Sequence, residues 1–510
     1  MKKIYFAFAS LFIFMNVIAQ PGTLDPSFGS AGTAVFAPGT QHDVATDIVA
    51  LPDTTTIICA STKLNNVTQG ILMHILSDGT MDTTFGVNGL AILNIGKETY
   101  PYELALQPDG KLVVVGTTYV TVSDGDVFIA RFNSNGTIDT SFNSTGINIP
   151  SYSTSEEAFE CLTIQPDGKI VCAGSTQAVP FSGCLFARFN TNGKIDNTFG
   201  TNGFTMVNGS TQDERIYSIG LLSSGNIIGG GYGYVSANFS TKSIFVKLNS
   251  NGQTVSNFGT NGYLLTPNFS GENYCYGITI HNDSIFSTGY HTPNNSLILG
   301  YCAKFDSAGI PDQNFGSNGL TSFGSAVFNF GYNVLVQPDN KILVCGGSGV
   351  GFGDRDFILA RFLQNGSPDA AFGTNGVTLT SFGGMWDEAN AMCLQTDGKI
   401  VLAGFAPLGT NDIAMARYLN DITSSVGIPV LASQNSISVY PNPTHDFISI
   451  NTTMSNQQHT IIITDNIGRV VSHSNAMMSD KISVQHLTPG FYNLSIIADG
   501  NIVKVPFVKQ

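Results

Sequence analysis

The sequence predicts an all-β protein, a seven-bladed β-propeller followed by a small C-terminal β-sandwich of Ig-like form. Three observations carry that expectation. A DxxFG-type turn recurs with its phenylalanine at Phe28, Phe85, Phe142, Phe199, Phe258, Phe315 and Phe372, so successive copies stand 57, 57, 57, 59, 57 and 57 residues apart. Seven copies at one period mean a repeat architecture. A hairpin signal, QPDGK or a relative of it, opens at Leu51, Gln107, Gln165, Leu222, His281, Gln337 and Gln395. Each unit also holds four short apolar runs bounded by Gly, Asn, Asp or Pro, which is how strands are punctuated. Runs such as KLVVVG, KIVCAG and KIVLAG are nearly all apolar, as suits a blade covered on both faces by other blades. Asp-Gly and Asn-Gly supply the positive φ of tight hairpin turns.

The elements follow in order. Residues 1–19 begin with Lys2 and Lys3, run through IYFAFASLFIF and end VIA before Gln20, which reads as a signal peptide. Its apolar core is too short for a bilayer span and no later stretch approaches ~20 apolar residues, so no transmembrane segment is expected in the mature chain. Residues 20–421 hold the propeller. The stretch GTLDPSFGSAGTAVF is the end of a repeat without its beginning, while DIAMARYLND stops without a DxxFG turn. Strand 33–36 is therefore expected to complete the blade formed between Ala391 and Leu419, closing the ring and leaving no open sheet edge. Residues 422–436 have linker composition, and 437–510 carry about seven alternating strands that read as a β-sandwich.

A formal charge of −14 argues against nucleic acid, whose phosphates demand a basic stripe. The eight cysteines all fall inside expected strands, so buried free thiols are expected rather than disulfides. Cys59 and Cys172 share a repeat position in blades that are not neighbours, too far apart to bridge.

His74, Arg131, Arg188, Lys247, Lys304, Arg361 and Arg417 hold one place in the third strand of the repeat, and Asp82, Asp139, Asp196, Asp312 and Asp369 follow in the next turn. Val255 is the exception, and Asp25 stands at the chain start. A group repeated in every blade serves each alike, so structural ion pairs are expected at Arg131–Asp139, Arg188–Asp196, Lys304–Asp312 and Arg361–Asp369, with Lys247 left without a partner.

The hairpin and DxxFG connections must emerge on one uniform face, because strands in a blade alternate in direction. The opposite face collects length-variable loops such as KLNNVTQ, YVTVSDGD and GVGFGDRD, together with acidic segments entering the inner strand. Asp43, Glu157, Glu214 and Asp387 hold one place there, with further acids at Glu98, Glu156, Asp213, Glu272 and Glu388. Tyr102, Tyr217, Tyr276 and Tyr332 share a second place, and the single tryptophan, Trp386, sits among the acids. Such a rim could stack a sugar or peptide. If Asp43, Glu157, Glu214 and Asp387 converge at the channel mouth, it could also hold Ca2+ through oxygen ligands. Solvated loop acids over packed tyrosines are the plain alternative.

No GxSxG elbow, HExxH or Walker loop is present, and half of the eight histidines lie in the tail, so no catalytic residue is assigned. The leading expectation is a non-catalytic propeller that binds a glycan, peptide or protein on its variable-loop face. The alternatives are a carboxylate-based glycan lyase or hydrolase and a structural or adhesive surface element.

Two family resemblances sharpen this. The phrases QPDGKI and IARFNxNGxxDxxFGxNG resemble the delta-60 repeat family, an NHL-like propeller family, over about residues 22–420; the resemblance implies the fold and says almost nothing of function. YPNPT, LTPGFYNLSI and the terminus VPFVKQ resemble the type A C-terminal sorting domain of the type IX secretion system. That resemblance implies a Gram-negative bacterium whose secretion machinery engages residues 437–510, exports the protein and usually cleaves the tail, leaving the cargo secreted or attached to the outer surface.

Overall fold

The computed structural model describes residues 20–422, apart from 122–123, 178–182, 210–212, 236–239, 267–268, 270, 294–296, 325–326 and 352, and residues 438–509, apart from 441–443, 452–457, 466–469, 478–480, 488–489 and 499–500. The signal segment and residues 423–436 of the linker lie outside the described residues. The chain divides into two compact units, Met1–Thr423 and Ser424–Gln510.

Among the described residues the first unit is all strand, arranged as seven four-stranded antiparallel sheets. Blade 2 is representative, with Glu98–Leu106 inside, then Leu112–Thr121, Asp124–Phe132 and the short outer strand Ile147–Asn148. The inner strands Val44–Ala50, Glu98–Leu106, Glu157–Ile164, Glu214–Leu221, Asn273–His281, Phe328–Val336 and Glu388–Leu394 pack each on the next, and the last packs on the first. This unit is a β-propeller. Thr33–Phe36 is the outer strand of the seventh blade, antiparallel to Asn411–Tyr418 with Thr33 opposite Ala416 and Phe36 opposite Ile413.

The apolar runs of the repeat are explained by two-sided burial. In blade 2, Val113 and Val115 join a core shared with blade 3, while Leu112 and Val114 join the core shared with blade 1. Successive residues of one strand point to opposite faces, so a blade between two others needs apolar residues throughout. All eight cysteines are buried and free, filling these cores as small apolar groups.

On the face carrying the DxxFG and QPDGK turns, neighbouring blades are stapled by one repeated device. Arg131 Nε stands 2.7 Å from Asp139 and Arg188 Nε 2.8 Å from Asp196. The turn lysines supply a second cation to the same oxygens, Lys111 at 2.9 Å and Lys169 at 2.9 Å. Lys304–Asp312 and Arg361–Asp369 each close at 2.8 Å. Each guanidinium also lies over the DxxFG ring, with Arg131 4.6 Å from Phe142 and Arg188 4.9 Å from Phe199. Arg131 Nη1 then donates to Thr191 O of the next blade at 2.7 Å. Lys247, facing Val255, donates instead to Ser307 O at 2.6 Å, and burial lowers its pKa.

The DxxFG phenylalanine completes the staple by lying under a turn glycine of the next blade. A Cβ added at Gly193, whose φ is +81°, would stand 2.6 Å from the Phe142 ring, so only glycine fits this approach. The N-terminus carries the scheme across the closure: Gly22 lies against Phe372, and Asp25 sits 2.9 Å from Arg417 and 3.1 Å from Lys399.

The second unit has a three-stranded sheet (Ser438–Tyr440, Phe447–Asn451, Ile482–Ser483) and a four-stranded one (Val470–Met477, Gln458–Asp465, Gly490–Ala498, Asn501–Lys509). Ile448 and Ile450 of the first share an apolar core with Ile461, Ile463, Leu494 and Ile496 of the second.

Candidate functional site: the channel mouth

Every inner strand carries a β-bulge at the same place, where the register against its neighbour skips one residue. The skipped residues are Thr46, Tyr102, Glu160, Tyr217, Tyr276, Tyr332 and Asn390. A bulge leaves its extra residue unpaired and re-aims it; here all seven are half-buried, among neighbours that are mostly fully buried. The expected tyrosines are four of these seven.

In blades 4 to 6 they form a continuous aromatic arc. Tyr217 and Tyr276 have ring centroids 5.5 Å apart, and Tyr276 and Tyr332 5.3 Å. A second tier lies two residues nearer the loops, with Tyr274 4.8 Å from Tyr232 and 4.9 Å from Tyr290, and Tyr290 5.3 Å from Phe330. Burial pushes the Tyr217, Tyr276 and Tyr332 hydroxyls up, so they stay protonated.

An arginine–glutamate pair bounds each end. Arg215 Nη1 stands 3.0 Å from Glu160, and Arg355 Nη2 2.9 Å from Glu388. Arg355 is buried between two rings, 4.9 Å from Phe330 and 4.5 Å from Trp386. Glu388 also accepts from Tyr332 Oη at 3.0 Å. Burial raises the Glu388 and Glu160 carboxyls, opposed by Arg355 and Arg215 respectively. Trp386, 43 % exposed, ends the arc against Phe405.

The acids expected to form a cation-binding rim behave differently. Asp43, Glu157, Glu214 and Asp387 are all buried, and each turns back to its own incoming loop. Asp43 Oδ2 accepts from Gly39 N at 3.2 Å, Glu157 Oε1 from Ser153 N at 2.8 Å, Glu214 Oε2 from Gly209 N at 3.0 Å and Asp387 Oδ2 from Phe382 N at 2.7 Å. Thr99 does the same in blade 2, its Oγ1 accepting from Ile95 N at 3.1 Å. These residues clamp the entering loops. The expected convergence is corrected: among the described residues no group of three or more His, Cys, Asp or Glu is placed to hold a metal ion. Glu98 is exposed and takes the Tyr100 hydroxyl at 2.9 Å. Glu272 borders a shallow opening of about 470 Å³ with Lys242 and Thr292. Tyr102 lies in blade 2, apart from the arc, near Glu160 and Arg215.

Sequence reasoning missed Arg215, Arg355 and Glu160, and also an acidic pair in the opposite wall. Asp47 Oδ2 accepts from Leu104 N at 2.8 Å and Glu103 Oε2 from Leu162 N at 2.6 Å, each tying its blade to the next. Burial pushes Asp47 up to about 7, and burial together with the Asp47 charge raises Glu103. The available signal was the repeat itself, since Glu160 occupies the tyrosine position in blade 3. A groove of about 900 Å³ between strands Leu320–Phe323 and Val377–Thr380 has no titratable side chain in its lining and supplies no comparable chemistry.

Residues 107–142, 165–199 and 337–372 match the family described as a domain of unknown function (DUF5122) beta-propeller, and residues 438–510 match the secretion system C-terminal sorting domain. No curated protein matches the chain. Among solved structures, a catalytically inactive virginiamycin B lyase from Staphylococcus aureus with quinupristin is 13% identical, covers 75% of this chain and 98% of its own, and has a TM-score of 0.46. A protein of unknown function from Dyadobacter fermentans is 9% identical over 77% of this chain and 99% of its own, with a TM-score of 0.40. Drosophila Semaphorin 2a is 9% identical over 96% and 99%, with a TM-score of 0.41. No helix among the described residues is long and apolar enough to cross a membrane. The sorting domain marks a protein of a Gram-negative group, the Bacteroidetes, delivered to the cell surface or beyond by type IX secretion. The chain is thus a β-propeller protein with DUF5122 repeats, ending in a type IX secretion sorting domain.

Proposed function

We propose that the exported propeller is a non-catalytic binding module whose ligand, a glycan, peptide or protein, seats at the channel mouth on the variable-loop face. The observation that carries this reading is the aromatic arc Tyr217–Tyr276–Tyr332 with its second tier, half-buried and bounded by two arginine–glutamate pairs. Aromatic faces contribute large contact areas at low entropic cost, and concave sites combine such surface with a few polar groups. The mouth has both.

One observation favours a second reading as a glycan hydrolase: the adjacent, upward-shifted carboxyls of Asp47 and Glu103, since a raised acid is what general acid catalysis needs. Both carboxylates, however, accept a backbone N–H of the next blade, and Ser218 and Asn390 make interblade bonds at neighbouring positions. That is the pattern of a structural tie. The test is an array of glycans, peptides and extracellular proteins probed with the secreted chain, its Tyr276→Ala variant and Lys304→Ala from the opposite face. Binding lost in Tyr276→Ala and kept in Lys304→Ala is expected. Binding untouched by Tyr276→Ala places the function elsewhere, and turnover of a bound glycan that Asp47→Asn abolishes replaces the binding reading with the hydrolase.

A further inference from the structure

We propose that the ligand of this mouth is an uncharged carbohydrate, held with the C–H groups of its ring on the tyrosine arc and its hydroxyls on Arg215, whose charge Glu160 balances. The inference rests on the binding reading above and narrows it to one chemical class. The arc offers aromatic faces and edges in two tiers, Tyr217, Tyr276 and Tyr332 in one, with centroids 5.3 to 5.5 Å apart and planes inclined by 51 to 62°, and Tyr232, Tyr274 and Tyr290 in the other, 4.8 to 4.9 Å apart and inclined by 20 to 42°. A saturated sugar ring presents C–H groups that pack against such rings, with hydroxyls around its edge.

The polar groups at the boundary select against ions. Arg215 has a side chain 36 % exposed and lies 3.0 Å from Glu160, whose side chain is buried at 8 %, so an accessible donor stands over its own counter-charge. An anion would have to displace Glu160, and a cation Arg215. A hydroxyl oxygen can accept from the exposed Arg215 guanidinium without breaking the pair. The second pair is closed to the ligand's polar edge: Arg355 is buried between Phe330 and Trp386, and Glu388 is taken by Arg355 and Tyr332. Its role is to extend the apolar platform to Trp386. In the opposite wall Asp47 and Glu103 are acids whose burial favours the neutral forms, so they offer no counter-charge to an anion.

Trp386 is the single tryptophan of the chain and ends the arc, so its fluorescence reports occupancy without a label. The full chain would be titrated with neutral xylo-, manno- and cello-oligosaccharides, oligouronates, and neutral and lysine-rich peptides, following Trp386 emission and heat. A saturable response to a neutral oligosaccharide is expected, weakened about tenfold or more, roughly the loss of one good contact, in Tyr276→Leu and in Arg215→Gln. Tyr276→Phe keeps the ring and should keep most of the affinity, with unchanged melting temperatures certifying the fold. If oligouronates or peptides bind through Tyr276 while neutral sugars do not, the assignment to an uncharged carbohydrate is wrong and the binding site stands. If neutral sugars bind but neither variant weakens them, the seat is wrong. If no probe of any class moves Trp386 emission or heat, both this inference and the binding reading fall.

Discussion

On the turn-bearing face Asp25, Asp139, Asp196 and Asp369 each lie between an arginine and a lysine, whereas on the loop-bearing face Asp43, Glu157 and Asp387 each lie near another carboxylate: Asp412, Asp126 and Asp356. Burial works against the charged form in both sets. On the first face hydrogen bonds and the paired cations overcome it, and all four carboxyls are held low. On the second, burial prevails and the three carboxyls rise. One repeat thus builds two ends of opposite electrostatic character. The difference teaches that recurrence alone does not mark a functional residue. A group repeated together with its counter-charge is part of the staple, and the residues that break the repeat, such as Glu160 among the tyrosines, mark the mouth.

Four experiments would break or sharpen this contrast. Arg417→Ala removes the cation at the closure, so it should cost about 3 kcal/mol in denaturant unfolding, with Lys399 keeping the loss toward the lower end. A loss near zero would mean that the staple face does not hold the ring. Gly193→Ala, strained at positive φ and driven into Phe142, should cost roughly 2 kcal/mol and leave ligand binding at the mouth unchanged; a stabilised variant would refute the phenylalanine–glycine latch.

The third experiment uses pH, because the two ends have opposite signs. Asp25 is held at about 2, below the ordinary 3.8, by Ser27, Lys399 and Arg417 against its burial. Its contribution is therefore present above 3.8 and lost as pH falls toward 2. Asp47 is raised to about 7, so its contribution is present below 3.8 and lost as pH rises through 7. Calorimetry should show the melting temperature falling on both sides of about pH 4 to 5. Asp47→Asn should flatten the neutral side and leave the acid side in place; an unchanged neutral slope would separate Asp47 from it. The smallest effect belongs to Lys304→Ala. Its pair with Asp312 is partly exposed, with side chains 19% and 27% accessible, and should contribute under about 1 kcal/mol. A larger loss would show that even the open staples bear load.

Much of this was legible in the sequence. A fixed offset of eight residues from Arg131 to Asp139 and from Arg188 to Asp196 placed partners across one turn, and the truncated ends at residues 22–36 and 412–421 pointed to each other. The tyrosine position was legible too, since a cyclic repeat turns equal sequence place into equal spatial place. Side-chain direction was not. Asp43 and Glu157 stand where an acid could face the channel or turn back, and the free N–H groups of Gly39 and Ser153 decided the matter. The lysine of QPDGK as a second partner of the turn aspartate was equally hidden, because no single strand pattern carries both. Arg355 reaches the mouth from the third strand of its blade and Arg215 from beside its bulge, so neither shares a position with the tyrosines.

The closure contact joins Asp25 to Arg417, 392 positions apart along the chain, while the other staples join blades that follow one another directly. Drawing together ends so distant costs about 5 kcal/mol of chain entropy, against less for each neighbouring pair. The lock can form only when the last blade is present beside the first, so a chain still being threaded through a membrane, amino end leading, remains open however many blades have emerged. Completion of the ring is therefore a test of length. A product cut short before residue 411 keeps two bare sheet edges and stays exposed to proteases, whereas the finished molecule hides both in a single step.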